Sequence, residues 1–387
     1  MRRTLVTGLL LSGVILAGEV QMSAGEPYTL WDPEVPMPKS AEAPLLRGVR
    51  FSVIKKREPE ADGYNWLHGV ALAWHKGVLY ASFGHNKGSE NTASEEARGM
   101  MSSDGGKSFG AVFTIDPGEG NLAVSHGVFL SYKGNLWAFH GNFYDHLQKV
   151  HTRAYVLDEA GSRWEPRGVV AEGGFWPTGE PQKMDDGNWI MAGFSVGERN
   201  ATAVAISRSD DLAKWDVVVI PLVASIGKMW GEAAVILDGK EVTCIARYGA
   251  KARALMAVSE DFGRTWTKMR ESNLPMATSK PYAGKLSTGQ RYLVCTTTAD
   301  SGGRRSPLTI AVGRPGEKLF SKVYRIRDAL FDGPGESHSE ARLSYPYAVE
   351  HEGKLYVAYS NDGARGGNRN TAELAVIPTE SLSSDGE

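Results

Sequence analysis

The amino-acid sequence predicts an all-β fold, a six-bladed β-propeller made of four-stranded antiparallel blades. The first observation is a hairpin pattern in residues 229–247, where two apolar runs rich in β-branched residues flank the tight turn Asp238-Gly239. The second is that this pattern recurs five more times, around Gly77, Gly134, Gly187, Gly289 and Gly353. The six turn glycines are separated by 57, 53, 52, 50 and 64 residues. A period of about fifty residues with four short strands per repeat is typical of a propeller, in which each sheet packs against its neighbours.

Length and composition agree with one large domain. The chain has 387 residues, of which 42% are hydrophobic, and a formal net charge of -2. This is enough to bury a single extended core. The near-neutral charge argues against a nucleic-acid partner, because such proteins normally present a strongly basic face.

The N-terminus predicts export. Met1-Arg2-Arg3 precedes the short apolar run Thr4–Gly18, which is typical of a cleaved signal peptide and too short for a spanning helix. We therefore expect a signal peptide over residues 1–24, no membrane span, and a secreted or periplasmic protein. Residues 25–63 are predicted to form an N-terminal arm, whose strand Gly48–Ile54 closes the last blade. Residues 64–387 would form the propeller.

The chain has only two cysteines, Cys244 and Cys295, each on the strand that follows a turn glycine. Two buried free thiols are the favoured interpretation, and a disulfide between adjacent blades remains open. The nine histidines show no HxxxH or HExxH spacing and no accompanying cysteine cluster, so the sequence predicts no metal site and no cofactor.

A second short motif follows some of the hairpins. Residues 101–109 read MSSDGGKSF, residues 259–266 read SEDFGRTW, and residues 207–215 give a looser SRSDDLAKW. In such a turn the Asp side chain caps backbone amides, Gly supplies a positive φ, and the aromatic residue packs beneath. The motif predicts a structural role away from the chemistry.

These turns, together with the six hairpins, resemble the sialidase (neuraminidase) superfamily, and the motif resembles its Asp-box repeat. The resemblance extends from about Tyr64 to Leu382. It implies a propeller whose ligand binds at one mouth of the central funnel. The innermost strand of each blade should be the one that enters each hairpin, and it begins with a polar residue in all six blades: His68, His126, Glu180, Glu232, Lys280 and Tyr345. These positions are candidate site residues, although polar side chains there would also suit a simple water-filled channel.

The resemblance also implies individual roles. Glu232 and Arg247 have the spacing of a glutamate and an arginine of the family's site, and GGRRSPLTIAV places Arg305 (or Arg304) as a second arginine that grips a substrate carboxylate. LSYPYAVEHEG places Tyr345 where the family carries its nucleophile. A phenol activated by Glu232 would avoid the repulsion that a carboxylate nucleophile meets at an acidic sugar. Arginine forks can bind the substrate carboxylate with two parallel hydrogen bonds.

Two parts of the family's site are altered in this sequence. A third arginine, expected in blade one, is replaced by His68. The loop GHNKGSENTASEEAR after the first hairpin lacks the family's acid/base Asp, and it offers His85, Glu90, Glu95 or Glu96 instead. The general acid is therefore unassigned by the sequence.

Other residues suit a sugar ligand. Trp230 lies two residues before Glu232 and is a candidate for stacking on a pyranose, as are Trp66 and Trp176; packing between blades is the alternative. The segment 141–153 is expected to be a long loop at a propeller mouth that shapes specificity.

The sequence thus predicts a secreted sialidase-like exo-glycosidase that acts on an acidic sugar, nominally an exo-α-sialidase. Tyr345, Glu232 and His68 are the expected catalytic residues, and Arg247, Arg305, His126, Glu180, Lys280 and Trp230 the expected substrate-binding residues. One alternative is a hydrolase or lyase for uronic-acid or deoxysugar glycans that uses His68 and His126 as acid and base. The other is a propeller that binds an acidic glycan without cleaving it.

Overall fold

The computed structural model describes residues 26–160 and 162–383, in which six antiparallel sheets surround a central axis. The predicted signal peptide, residues 1–24, lies outside the described residues. Before the first blade come strand β1 (Arg50–Lys55) and the short helix α1 (Pro59–Asp62). No helix of the described residues has the length and apolar character that crossing a membrane requires.

The first three blades follow one another along the chain. Blade one contains β2 (Trp66–His75), β3 (Val78–Asn86), β4 (Glu95–Ser102) and β5 (Phe113–Asp116). Blade two contains β6 (Leu122–Tyr132), β7 (Asn135–Tyr144), β8 (Gln148–Asp158) and β9 (Arg163–Ala171). Blade three contains β10 (Phe175–Pro177), β11 (Gln182–Lys183), β12 (Trp189–Ser195), β13 (Thr202–Arg208) and β14 (Asp211–Val219).

The last three blades complete the ring. Blade four contains β15 (Ala233–Asp238), β16 (Glu241–Arg247), β17 (Arg253–Ser259) and β18 (Arg270–Pro275). Blade five contains β19 (Tyr282–Lys285), β20 (Arg291–Cys295), β21 (Leu308–Gly313) and β22 (Phe320–Arg327). Blade six contains β23 (Leu343–His351), β24 (Lys354–Asn361), β25 (Thr371–Pro378) and β1, and a 3₁₀ turn, Thr379–Leu382, follows.

The predicted six-bladed propeller is confirmed. Within each blade, consecutive strands pair antiparallel, so the strand that enters each hairpin lies at one edge of its sheet. These edge strands contact one another around the axis, as β2 does with β6 and β23, and β15 with β19. They are therefore the innermost strands, and residues far apart in the chain meet in the funnel.

Blade three departs from the regular four-strand plan. Its innermost strand is interrupted, because β10 and β11 are separate segments that both pair with β12. Pro177 and Pro181 flank the interruption and lack the N–H that a continuous ladder needs. Glu180 consequently lies on irregular backbone between the two segments.

The ring is closed by strands from both ends of the described chain. β1 pairs antiparallel with β25, with Arg50 opposite Val376 and Ser52 opposite Leu374. This is the position that the sequence indicated for the strand over residues 48–54. Because β1 supplies the fourth strand of blade six, the two ends of the propeller are joined by backbone hydrogen bonds rather than by side-chain packing alone.

The turns with the Ser-x-Asp pattern form compact hydrogen-bonded loops between the outer strands. The Asp261 carboxylate accepts the backbone N–H groups of Arg264 and Thr265 at 3.1 and 2.8 Å, and Asp104 accepts those of Lys107 and Ser108 in the same way. Both turns precede the outermost strand of their blade, far from the funnel axis.

Two further expectations concern the cysteines and the segment 141–153. Cys244 and Cys295 are buried free thiols, as favoured, and burial raises the pKa of Cys295 to about 11. The prediction of a long loop over residues 141–153 is wrong. Most of this segment continues the β7–β8 ladder, with Asn142 opposite His151, and only a short turn separates the strands.

Candidate active site

Tyr345 projects into the funnel from a bulge in the innermost strand of blade six. The ladder of β23 with β24 slips between Ser344 and Tyr347, and Tyr345 has a φ of +53°. A bulge of this kind re-aims a side chain. It brings the Tyr345 hydroxyl to Glu232, to which it donates a hydrogen bond. Burial, followed by the charge of Glu232, raises the pKa of Tyr345, so the free protein holds a neutral phenol.

Glu232 and Arg247 face each other across the hairpin of blade four. The backbone N–H of Arg247 donates to the Glu232 carbonyl at 3.0 Å, which explains their separation of 15 residues. Arg247 Nη1 donates to Glu232 Oε2 at 2.9 Å and to the Tyr345 hydroxyl oxygen at 3.2 Å. Burial alone would lower the pKa of Arg247, but the Glu232 carboxylate outweighs it and raises that pKa. The guanidinium can thus stabilise negative charge on the Glu232 carboxylate or on the Tyr345 oxygen.

Arg305 approaches Tyr345 from blade five. Its guanidinium carbon lies 5.8 Å from the centroid of the Tyr345 ring, and its Nη2 donates to the Thr278 carbonyl at 2.9 Å. Arg304, the alternative left open by the sequence, is exposed and donates to the carbonyls of Ser301 and Asp300. Arg305 is therefore the arginine of this pair that faces the site.

These side chains line one cavity of about 280 Å³ at a mouth of the funnel. Six of the residues predicted from the sequence belong to its wall: His126, Trp230, Glu232, Arg247, Arg305 and Tyr345. The remaining wall residues include side chains that the sequence reasoning did not assign to substrate: Asn91, Ser125, Phe194, Arg342 and Asn368. Trp66 and Trp176, proposed as stacking platforms, also line it.

Arg342 is the most informative residue that the sequence reasoning missed. It lies three residues before Tyr345, and Asp362 anchors it by accepting its backbone N–H at 2.8 Å. Its side chain is 58% exposed, and its Nε lies 3.4 Å from Asp362 Oδ2. Together with Arg247 and Arg305 it puts three guanidinium groups around one cavity. The sequence signal that could have identified Arg342 is its position, three residues before Tyr345 in ARLSYPY.

Among the four acid candidates in the loop after the first hairpin, Glu90 is the one that lines the cavity. Asn368 Nδ2 lies 2.9 Å from both of its carboxylate oxygens. Burial, reinforced by Glu232, raises the pKa of Glu90 even though the Asn368 hydrogen bond opposes this. A carboxyl group with a raised pKa beside a cavity suits proton donation.

The other three candidates point elsewhere. Glu95 is fully buried and accepts the backbone N–H of Asn91. Glu96 accepts the Tyr64 hydroxyl at 2.9 Å, and His85 stacks on the Tyr64 ring at a centroid distance of 4.1 Å. These contacts fix the base of the loop that carries Glu90.

His68 packs behind the nucleophile candidate instead of lining the cavity. Its ring centroid lies 3.8 Å from that of Tyr345, and the side chain is fully buried. Asn370 Nδ2 donates to the Leu67 carbonyl at 2.6 Å and lies 3.1 Å from His68 Nδ1, which must therefore accept. His68 Nε2 has no hydrogen-bond partner in the described part of the chain. Burial lowers the pKa of His68 well below its usual value, so the ring is neutral.

His126 is the histidine that reaches the cavity wall. Its ring lies 6.2 Å from Tyr345 and 5.0 Å from Trp176, centroid to centroid. Burial, and then the charge of Lys280, lowers the pKa of His126 to about 3. At neutral pH this imidazole carries no charge and can donate or accept one hydrogen bond per ring nitrogen.

Glu180 and Lys280 lie away from the cavity wall, in a separate buried cluster. The Tyr282 hydroxyl donates to Glu180 at 2.6 Å, and Lys280 Nζ donates to the Pro346 carbonyl at 2.8 Å. Burial lowers the pKa of Lys280 to about 8. Lys280 thus holds the backbone that directly follows Tyr345.

Comparison with known proteins gives one family and a group of similar folds. A family model described as a BNR repeat-like domain matches residues 120–357. No curated protein matches the chain.

Several solved structures have the same fold at low sequence identity. The NanB sialidase from Streptococcus pneumoniae is 11% identical with a TM-score of 0.67, over 86% of this chain and 71% of that one. The intramolecular trans-sialidase from Ruminococcus gnavus is 11% identical with a TM-score of 0.62, over 84% and 97% of the two chains. A protein of unknown function from Dyadobacter fermentans is 15% identical with a TM-score of 0.63, over 86% and 99%.

Proposed function

Because this chain belongs to the BNR repeat-like family and its funnel joins a tyrosine to a glutamate, we propose that it is a sialidase-like exo-glycosidase that removes a carboxylate-bearing sugar. The nominal activity is that of an exo-α-sialidase. The observation that carries the proposal is the hydrogen bond from the Tyr345 hydroxyl to Glu232 within an arginine-lined cavity. A propeller that only binds a glycan has no need of a phenol paired with a buried carboxylate.

The proposed reaction has two steps. In the first, the Tyr345 oxygen attacks the anomeric carbon while Glu232 accepts the phenol proton, and Glu90 donates its proton to the departing glycosidic oxygen. This breaks the glycosidic bond and leaves a glycosyl–tyrosine intermediate. In the second, water attacks the same carbon, Glu90 accepts a proton from it, and Tyr345 leaves and recovers its proton from Glu232.

Arg247, Arg305 and Arg342 would hold the carboxylate of the sugar. Arg247 also contacts the Tyr345 oxygen, so its charge stabilises the phenolate that develops during attack. The Arg342 side chain is 58% exposed, and only its Nε lies near Asp362, at 3.4 Å from Oδ2. Its guanidinium would therefore contact the substrate carboxylate from the solvent side. In this arrangement Arg342 supplies the third guanidinium, since the described residues of blade one contribute no arginine to the cavity wall.

The cavity size supports attack on a terminal residue. Its volume of about 280 Å³ lies just below the range of about 300–1,000 Å³ for small-molecule sites. A single sugar ring would occupy it between Trp66, Trp176 and Phe194. Binding a single terminal ring in a cavity of this size is the behaviour expected of an exo-acting enzyme.

The histidine-dependent alternative has less support. His68 is buried behind Tyr345, and the pKa of His126 is lowered to about 3. A histidine with so low a pKa is a weak base and carries no proton to donate as an imidazolium at neutral pH. The neutral rings fit hydrogen bonding and packing around Tyr345 better than proton transfer.

The compartment remains a proposal from the sequence. The charged start and apolar run over residues 1–18 favour export, and a secreted or periplasmic glycosidase would meet polymeric glycans there.

The test is turnover of a fluorogenic α-sialoside and of uronic-acid oligosaccharides by the wild type, Tyr345→Phe and His68→Ala. Loss of sialoside turnover in Tyr345→Phe, with a much smaller decrease in His68→Ala, supports the proposal. Tyr132→Phe is the matched control, because the Tyr132 hydroxyl donates to Asp210 and Tyr132 does not line the cavity. Turnover of uronides alone, lost in His68→Ala, would establish the alternative. Glycan binding without any turnover would establish the non-catalytic propeller.

A further inference from the structure

Beside the active-site cavity lies a larger depression, here called the lateral groove. Its volume is about 770 Å³, against about 280 Å³ for the cavity. Its wall is formed by the tip of the β7–β8 hairpin, the Gly173-Gly174 turn, Val196, Gly197 and Asn200, and by Lys228 and Trp230 in the segment that leads into Glu232. The side chains that line it include Tyr144, Lys149, His151, Lys228 and Trp230.

The groove and the cavity are neighbours that share Trp230, which lines both. This tryptophan is 37% exposed, which is unusual for so large an apolar side chain. Its ring meets Phe194 at a centroid distance of 6.1 Å and an interplanar angle of 71°, so an edge contact holds it in place. An exposed, oriented indole at the junction of two pockets is a platform on which a sugar ring can stack.

The groove is basic. Lys149 and Lys228 are exposed and form no ion pair with a carboxylate in the described residues. His151 Nδ1 is engaged by the Lys149 carbonyl at 2.8 Å, which leaves Nε2 for a ligand. Among the described wall residues Glu172 is the single acidic side chain. Unpaired cations in a concave wall attract an anion, because the concave wall focuses their field.

The tip of the β7–β8 hairpin, which forms part of the groove wall, has an uncommon backbone conformation. Asp145, Leu147 and Lys149 have φ values of +50°, +58° and +49°. Three left-handed residues within five are costly, since each is a sparsely populated conformation for a side-chain-bearing residue. The hairpin ladder, with Tyr144 opposite Gln148, holds this turn against the groove.

We propose that the lateral groove binds the leaving-group side of the glycan and selects chains that carry an anionic group there, either a carboxylate or a sulfate ester. The first leaving sugar stacks on Trp230, and its anionic group lies near Lys149 and Lys228. The assignment to the leaving-group side rests on the proposed function, because the cavity holds the sugar that is removed.

The first experiment compares two oligosaccharides with the same terminal acidic sugar, one with a sulfated and one with an unsulfated leaving sugar, and a fluorogenic aryl glycoside that cannot reach the groove. We expect kcat/KM to favour the sulfated substrate by about tenfold at low salt, with the preference falling as ionic strength rises. In Lys149→Glu/Lys228→Glu the preference should vanish while turnover of the aryl glycoside stays. Lys214→Glu/Lys268→Glu is the matched control, since it makes the same charge change at exposed positions of blades three and four. Equal rates in the wild type, or an unchanged preference in the groove variant, would overturn the proposal.

The second experiment separates this inference from the proposed function. Binding of the sulfated and unsulfated oligosaccharides to Tyr345→Phe is measured by calorimetry, with and without the two lysine substitutions. If the wild type turns over no substrate but sulfated chains bind more tightly through Lys149 and Lys228, the groove proposal is supported and the glycosidase proposal fails. If the wild type turns over substrate and sulfated and unsulfated chains bind with equal affinity, the glycosidase proposal is supported and the groove proposal fails. A carboxylated oligosaccharide in the same assay shows which anion is preferred.

Discussion

The Tyr345 hydroxyl donates a hydrogen bond to Glu232 Oε1 across the funnel, although the two residues are 113 positions apart in the chain. Blade six contributes the phenol and blade four the carboxylate, and Arg247 contacts both. Because the propeller fixes each innermost strand against the axis, this geometry exists before any substrate binds. Such pre-organisation is what a nucleophile and its base require.

We expect Glu232→Gln to reduce kcat by about 10²–10⁴-fold with little change in KM, because the amide keeps the shape but cannot take the phenol proton. The measurement is steady-state kinetics on a fluorogenic α-sialoside. Glu260→Gln, at an exposed position of an outer turn, is the matched control. A fall in activity of less than about threefold would contradict the role of Glu232 as base.

Glu90→Gln should affect substrates according to their leaving groups. A poor leaving group such as a sugar hydroxyl needs protonation, whereas 4-nitrophenolate does not, so the loss should be large for the first and small for the second. In the wild type, burial and Glu232 raise the pKa of Glu90, so kcat should fall as pH rises through that raised value and the acid loses its proton. The variant should lose this alkaline limb. Equal losses for both leaving groups would assign the proton donor to another residue.

Arg342→Ala should raise KM by about tenfold or more, because a charged hydrogen bond to the substrate carboxylate contributes about 1.5–3 kcal/mol. Arg342→Lys should give an intermediate value, since lysine keeps the charge and loses the planar fork. Arg304→Ala is the control, because its guanidinium is held by the carbonyls of Ser301 and Asp300 away from the cavity. If Arg304→Ala raises KM as much as Arg342→Ala does, the effect is a general charge effect and not a substrate contact.

Hairpin spacing made the fold and part of the candidate site predictable. Once six hairpins share an axis, their first residues converge, and this correctly brought Glu232 and Tyr345 to one cavity. The same reasoning did not predict that His68 lies behind Tyr345. The register of β2 with β3 shifts between His68 and Ala71, and such a shift changes the direction of the side chains. The alternation of apolar residues in the sequence does not reveal it. Nor could the same reasoning find Asn368, which lies on a connection with no periodic register.

The buried acid beneath the Glu90 loop predicts a pH-dependent stability. Glu95 is fully buried, and desolvation raises its pKa to about 8 from its usual value near 4.5. Between these values the folded protein holds a proton that the unfolded chain has released, so stability falls as pH rises. One such group lowers the free energy of unfolding by at most about 1.4 kcal/mol per pH unit. Below about pH 4.5 Glu95 is protonated in both the folded and the unfolded protein, and its ionisation does not change the free energy of unfolding.

We therefore expect Glu95→Gln to flatten the dependence of the unfolding midpoint on pH between about 4.5 and 8 and to be more stable than the wild type above pH 8. The measurement is denaturant unfolding across this pH range for both proteins. Glu96→Gln is the neighbouring control: it changes the same functional group on the same strand, where the Tyr64 hydroxyl already supplies a hydrogen bond. A wild type and a Glu95→Gln variant with parallel pH profiles would show that Glu95 is ionised in the folded protein at neutral pH.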